Sequence, residues 1–536
     1  MTDTAYDYIV VGAGSAGCVV ANKLSEDPSA RVLLVEYGGP DRHLLFRIPK
    51  AFYYTLSTDR YAIHYATEPV GPGGQVETWT RGKVLGGSSS VNGLMYTRGD
   101  RADYDGIEAL GNPGWGWDTF LPIFRAMEDH ELGPSSTRGA DGPLHISVAD
   151  NLDAVTDAVM ASAEKLGWER SPDTNENDHE RIGFAPSTVK NGLRVSAASA
   201  FLRPAMRRKN LTVMTRTRAE QISFDGTRAV GVWTTDKHGR PREYRARREV
   251  ILSLGVMDSP LLLERSGVGR PDVLAAAGVD LLVDSPNVGE HMLEQRAVTC
   301  QYRLKANIGH HPMLNTVPRR LWTAAKYVVQ RGGPLATGAY ELTSFFKSSP
   351  DADRTDVQGL WAPLALDLNA SGRQLAKHAG VMFLGYQLRP TTESSIHIRG
   401  PLAADAPRLD ARFLETEYDR AVTSKILGRA RAVFAQHPLA DLVVPEEESP
   451  GPRVQTPEQV IRWSMDAGTG VYHAVGSCRM GPQDDDVVDA RLRVRGVAGL
   501  RVVDASVFPV MPAGNPSGPA MALAWRAADL IRADGS

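Results

Sequence analysis

The chain has 536 residues, 42% of them hydrophobic and 23% charged, with a formal net charge of -3. That length calls for two or three hydrophobic cores, and the composition excludes a disordered chain. The near-neutral charge gives no reason to expect nucleic acid or an anionic membrane as a partner, and no stretch approaches the ~20 apolar residues of a bilayer-spanning helix.

The opening Met1-Thr-Asp-Thr is polar and leads into the apolar run Tyr8–Val11, so no secretory leader is expected. Asp7–Val11 reads as a buried strand, Gly12-Ala-Gly-Ser-Ala-Gly17 as a glycine turn, and the residues through Leu24 as a helix. A second apolar run, from Val32, ends on Glu36, which gives the strand–helix–strand size of a dinucleotide-binding unit. Gly12 permits the tight turn, Gly14 lets backbone amides approach a pyrophosphate, and Gly17 allows helix and strand to pack closely. Ser15 and Ala16 lie at the positive helix N-terminus that faces the diphosphate. Glu36 is placed to accept hydrogen bonds from ribose hydroxyls, and its charge disfavours a 2′-phosphate. This fingerprint serves FAD and NAD alike.

Residues 81–93 form a glycine- and serine-rich loop. Residues 211–254 read as hairpin material, with Leu211–Met214, Ala229–Thr234 and Glu249–Leu254 separated by turn residues such as Asp225-Gly226 and His238-Gly239. From about 300 to 464 the chain has aromatics, scattered Pro and Gly and no phosphate-type loop, and is expected to form a separate substrate domain. The run Pro519–Ile531 is helix-forming, with Asn515-Pro516-Ser517 as its start signal. The basic clusters Arg207-Arg208-Lys209 and Arg245–Arg248 read as solvated edges. Cys18, Cys300 and Cys478 are odd in number and far apart, which argues against a disulfide framework or a metal cluster and makes the cytoplasm the default location.

Four segments together carry a resemblance. Arg81-Gly-Lys-Val-Leu-Gly-Gly-Ser-Ser-Ser-Val-Asn-Gly93 opens the first, which runs on to Gly99, and Gly255–Gly269 forms the second. Tyr472-His-Ala-Val-Gly-Ser-Cys-Arg-Met-Gly481 is the third, and Val503-Asp-Ala-Ser506 with Gly514-Asn-Pro516 the fourth. In this order, and across residues 7 to 531, they resemble the glucose–methanol–choline (GMC) flavoprotein oxidoreductases. The resemblance implies an α/β (α+β) protein. Its Rossmann-like FAD-binding domain would comprise residues 1–150, 192–300 and 465–536, and its substrate-binding domain 151–191 and 301–464, built on an antiparallel sheet with helices.

It also implies FAD contacts. Gly86 and Gly87 would bring the backbone close to the isoalloxazine and pyrophosphate, while Ser88, Asn92 and Gly93 supply compact hydrogen-bonding groups. Ala219 would contact adenine through main-chain atoms, and Asp504, Ala505 and Pro516 would help hold the flavin. Some relatives tether FAD through a histidine where this chain has Val91, so the flavin is expected to be non-covalent.

Alcohol oxidation needs an acceptor for the hydroxyl proton and a donor for the developing alkoxide, and an imidazole suits the first role. By position in the family these roles fall to His473 and Asn515, which would also contact substrate. Glu341 resembles a position that helps bind cationic substrates in choline-oxidising relatives, with Tyr340, Phe345 or Phe346 adding cation–π contact. The chain departs from the family at Val256, at Glu294-Gln295 and at Thr392-Glu-Ser394, the last two expected toward the substrate side. Reoxidation would fall to dioxygen or a quinone-type acceptor, in a monomer or homodimer. The alternative is a flavin-dependent lyase or photodecarboxylase of the same fold, without net alcohol oxidation.

Overall fold

The computed structural model describes residues 5–148, 153–368 and 374–535. Met1–Thr4 and the expected boundary at 150/151 lie outside the described residues.

Two seven-stranded sheets organise the chain. In the first, the strands Leu211–Met214, Val32–Val35, Ala5–Val11 and Pro241–Leu252 run side by side and parallel, and Leu500–Val502 pairs with the end of the last. Both faces of these strands are covered, which is why Ile9–Val11, Val32–Val35 and Val250–Leu252 are unbroken apolar runs, all buried. Arg228–Asp236 and Thr217–Asp225 extend the sheet as an antiparallel edge.

The hairpin reading of 211–254 needs one correction. Leu211–Met214 pairs in parallel with Val32–Val35, and the hairpin partner of Arg228–Asp236 is Thr217–Asp225. That strand alternates polar Arg218, Glu220 and Gln221 with buried Ala219 and Ile222, the pattern of a strand with one face in water. The turns fall where Gly226 and Gly239 permit them, at φ +56° and +76°.

The second sheet orders Val443–Ser449, Ala297–Leu304, Gly380–Gln387, Val357–Ala362, Leu342–Phe346, Arg181–Phe184 and Glu169–Arg170, antiparallel except for the last pair. Every residue of Gly380–Gln387 is buried, because both faces are used. Val381 and Phe383, with Trp361 on the neighbouring strand, pack on the helices Glu417–Phe434 and Ala154–Glu164. The alternate residues Met382, Leu384 and Tyr386, with Leu360 and Ala362, face a cavity instead.

The C-terminal helix Ser517–Gly535 buries a row of small residues, Ala520, Ala522, Ala524, Ala527 and Ala528, and lies beside the helix Ser15–Leu24. This contact carries the segment before it to the glycine turn. Among the described residues no helix is long and apolar enough to cross a membrane.

Candidate active site

A cavity of about 2100 Å³ extends from the glycine turn to the second sheet. That exceeds the ~300–1,000 Å³ of an ordinary small-ligand site and gives room for a dinucleotide and a second molecule. Gly12, Gly14, Ser15, Ala16, Glu36 and Ala219 line its nucleotide end. Gly87, Ser88, Asn92, Gly93, Asp504 and Ala505 line its middle, and His473, Asn515 and Pro516 also reach it.

The glycines act in different ways. A Cβ on Gly17 would sit 1.9 Å from the Gly12 carbonyl oxygen, so this residue sets how closely helix and turn approach. At Gly14 the nearest protein atom to such a Cβ is 3.8 Å away, and the side chain would instead project into the space a pyrophosphate requires. Gly17 and Gly86 shape the wall without lining it; Gly86 N donates to the Ala13 carbonyl at 2.8 Å.

Glu36 is buried, and its two carboxylate oxygens accept the amides of Ala13 at 2.8 Å and Gly38 at 2.7 Å. A carboxylate has about four lone-pair sites, so each oxygen retains one for a ribose hydroxyl. Burial pushes this carboxyl up to about 7 against the pull of the two amides. Glu36→Gln would aim an NH2 at one of them; with ~1.5–3 kcal/mol at stake in a charged hydrogen bond, FAD should bind roughly ten- to a hundredfold more weakly. Titration of apoprotein followed by flavin fluorescence measures this, and an unchanged Kd would remove Glu36 from the cofactor site.

The 81–93 loop is held from behind by a residue the sequence did not single out. The Arg194 guanidinium donates to the Ser89 carbonyl at 3.1 Å, the Asn92 Oδ1 at 2.8 Å and the Asn92 carbonyl at 2.8 Å. Burial pulls its pKa down to about 9. Asp504 accepts from Gly255 N at 2.9 Å, Ser259 Oγ at 2.6 Å and Ser506 N at 2.8 Å, tying the last motif to the second.

His473 and Asn515 meet at the other end, with Asn515 Nδ2 2.9 Å from His473 Nε2. One carbonyl fixes the direction of the whole network. Gln295 Nε2 donates to the Leu388 carbonyl at 2.9 Å, so Gln295 Oε1 must face His473 Nδ1, at 2.8 Å. The imidazole proton therefore sits on Nδ1, and Nε2 presents a lone pair to the Asn515 amide. Asn515 Oδ1 then accepts from Gln358 Nε2 at 3.3 Å, and Gln358 Oε1 accepts from Tyr386 OH at 2.8 Å.

Burial, and then the nearby Arg81, pull the His473 pKa down to about 3, so the ring is neutral. Behind it the buried Glu294 carboxylate accepts the amides of Gln295, His473 and Ala474 at 2.9–3.1 Å, which sets the course of this segment. Both polar atoms of the Asn515 carboxamide are thus turned sideways rather than onto the helix that starts at Ser517.

Other sequence candidates lie elsewhere. Glu341 is off the cavity wall, paired with Lys50 Nζ at 2.8 Å and approached by His310 Nε2 at 3.6 Å. Burial raises its pKa, but Lys50 and His310 outweigh that and hold it below the usual value. Phe345 carries the Arg181 guanidinium 4.2 Å over its ring and Phe346 stacks on Trp168 at 4.6 Å; of the three aromatics only Tyr340 lines the cavity. Thr392, expected toward the substrate, binds Asp419 through its amide at 2.8 Å.

Gln295 is expected toward the substrate side, though not as the partner of His473, and the sequence does not single out Gln358 or Tyr386. The available signal was a glutamine inside the apolar strand Val357–Ala362, since a buried amide requires partners.

Residues 6–296 and 390–524 match the N- and C-terminal parts of the GMC oxidoreductase family. The chain is 36% identical to the oxygen-dependent choline dehydrogenase of Chromohalobacter salexigens over 99% of its own length and 95% of the relative's. It is 34% identical to an alcohol dehydrogenase [acceptor] of Pseudomonas putida, covering 98% and 95%. The crystal structure of pyridoxine 4-oxidase from Mesorbium loti superposes with a TM-score of 0.88 at 29% identity, covering 98% of each chain.

Proposed function

This chain belongs to the GMC oxidoreductase family, and on that premise we propose that it oxidises a neutral alcohol to the aldehyde or ketone, with His473 taking the hydroxyl proton and Asn515 steadying the alkoxide. Its cofactor is FAD, which when bound supplies at N5 the acceptor for the carbon-bound hydrogen as hydride. The cavity fits that group: the open face of Gly14, the lone pairs left on Glu36 and the loop that Arg194 holds all border it.

The observation that carries the reading is the fixed polarity of the pair. A hydroxyl that replaces the direct 2.9 Å contact between Nδ2 and Nε2 donates its proton to Nε2 and accepts from Nδ2. The two groups need only move apart, because Gln295 and Gln358 already fix which atom of each faces the hydroxyl. The apolar wall of Leu360, Met382 and Leu384 suits a substrate with an apolar body. With Glu341 committed to Lys50, a quaternary ammonium has no carboxylate there, which favours neutral alcohols over choline. Dioxygen or a quinone-type acceptor would then reoxidise the flavin. We place the protein in the cytoplasm, where three buried free thiols fit a reducing environment.

The test is anaerobic mixing of the yellow holoenzyme with aliphatic, aromatic and cationic alcohols. Bleaching by the neutral classes is expected, and bleaching by none of the panel would overturn the proposal. The same experiment reads the pH dependence. A base works only while deprotonated, so rate is lost as pH falls through its pKa; for His473 that lies near 3 rather than the ordinary ~6.5. The bleaching rate should therefore be flat through 6.5, and an acid limb there would contradict a neutral, buried His473.

A further inference from the structure

The average charge of the chain hides a strongly basic stretch. Residues 297–340 contain Arg303, Lys305, Arg319, Arg320, Lys326 and Arg331 and no Asp or Glu. At its centre the helix Val317–Gln330 turns Thr323 and Tyr327 inward, where Tyr327 OH donates to the Gly192 carbonyl at 2.7 Å.

Its other face is apolar and uncovered. Val317, Leu321 and Val328 recur at helical spacing, with Trp322 and Val329 beside them. Trp322 is 73% exposed and Val329 82%. Arg319 and Lys326 flank this stripe, and among the described residues no carboxylate forms an ion pair with either. The helix also stands at an opening of the cavity: Arg320 lines it, as do Leu314 just before the helix and the exposed Tyr54 and Leu368.

We propose that this helix docks the protein in the interface of an anionic lipid membrane, with that opening turned toward the bilayer. An in-plane helix needs an uncovered apolar face, basic flanks and an aromatic at headgroup depth, and Trp322 supplies the last. The basic stretch complements anionic headgroups, whereas a second copy would bring like charge against like. Docked this way, the cavity opens to molecules dissolved in lipid.

The experiment is cosedimentation of the holoenzyme with vesicles of phosphatidylcholine alone or with 30% phosphatidylglycerol as the probe composition, a fraction of roughly the anionic content that attracts basic segments. Wild type should bind the anionic vesicles, lose binding as salt rises, and show quenching of Trp322 by brominated lipid that Trp322→Phe removes. Leu321→Lys with Val329→Lys should weaken binding roughly tenfold or more. Arg319→Glu with Lys326→Glu should do the same, and both pairs should leave oxidation of a water-soluble alcohol unchanged. No vesicle binding by wild type overturns the proposal. So does binding that both double variants retain, or a dimer in solution that Leu321→Lys dissolves while vesicles remain unbound. Should a variant misfold, the lipid and salt dependence of wild type and the quenching decide.

Discussion

His473→Ala is expected to slow anaerobic flavin reduction by roughly a hundred- to ten-thousandfold, the usual contribution of a positioned general base, or about 2.7–5.5 kcal/mol of barrier. FAD content should be unchanged, because the nucleotide end of the cavity is built from other segments. A merely structural histidine would instead lower the melting temperature and leave the rate per folded flavin intact. His473→Gln separates the two further: it can bridge Gln295 and Asn515 but cannot take a proton at neutral pH. If either variant reduces its flavin within roughly threefold of wild type, His473 is not the base. Activity of the alanine variant should climb with pH, as hydroxide replaces the missing base.

If Asn515 steadies the alkoxide as proposed, Asn515→Ala costs one donor to the oxyanion, a loss commonly of about a hundred- to a thousandfold in rate. The loss should fall mainly on the rate of reduction rather than on the Kd of the alcohol, because the charge it stabilises develops only as the proton leaves. Asn515→Asp is nearly isosteric and tests electrostatics. A carboxylate beside Nε2 favours the imidazolium, so the acid limb should move up from near 3 toward neutral pH and the reaction should fail there. Asn515→His keeps a donor at the same position and should recover part of the rate. Equal activity of the alanine and histidine variants would sink the assigned role.

Much of this site could be read from the chain because its parts are local. A strand, Gly12–Gly17 and Glu36 form one short unit whose geometry follows from backbone rules. His473 and Asn515 stand out because each lies in a compact motif. Gln295 was expected on the substrate side, but the contacts that hold the pair were not legible, for a physical reason. Gln295, Gln358 and Tyr386 come from three strands or their flanks, and strand parity decides whether each faces helix or cavity. That parity is invisible in Gly380–Gln387, where both faces are buried and the sequence does not alternate. Glu341 failed differently: its local sequence resembled a cation site, but Lys50, 291 positions earlier, neutralises it. Leu211–Met214 reads equally well as hairpin or parallel edge, and only the neighbouring Val32–Val35 decides.

The residue after Asn515 has a consequence for how the protein ages. Asparagine side chains are lost over time when the backbone nitrogen of the next residue attacks the carboxamide and closes a succinimide ring. That attack needs a main-chain N–H, and Pro516 has none. The proline that leads into the Ser517–Gly535 helix thereby also shields, from this route, an asparagine whose conversion to aspartate would place a charge beside His473. Deamidation by that route should accumulate at other asparagines first.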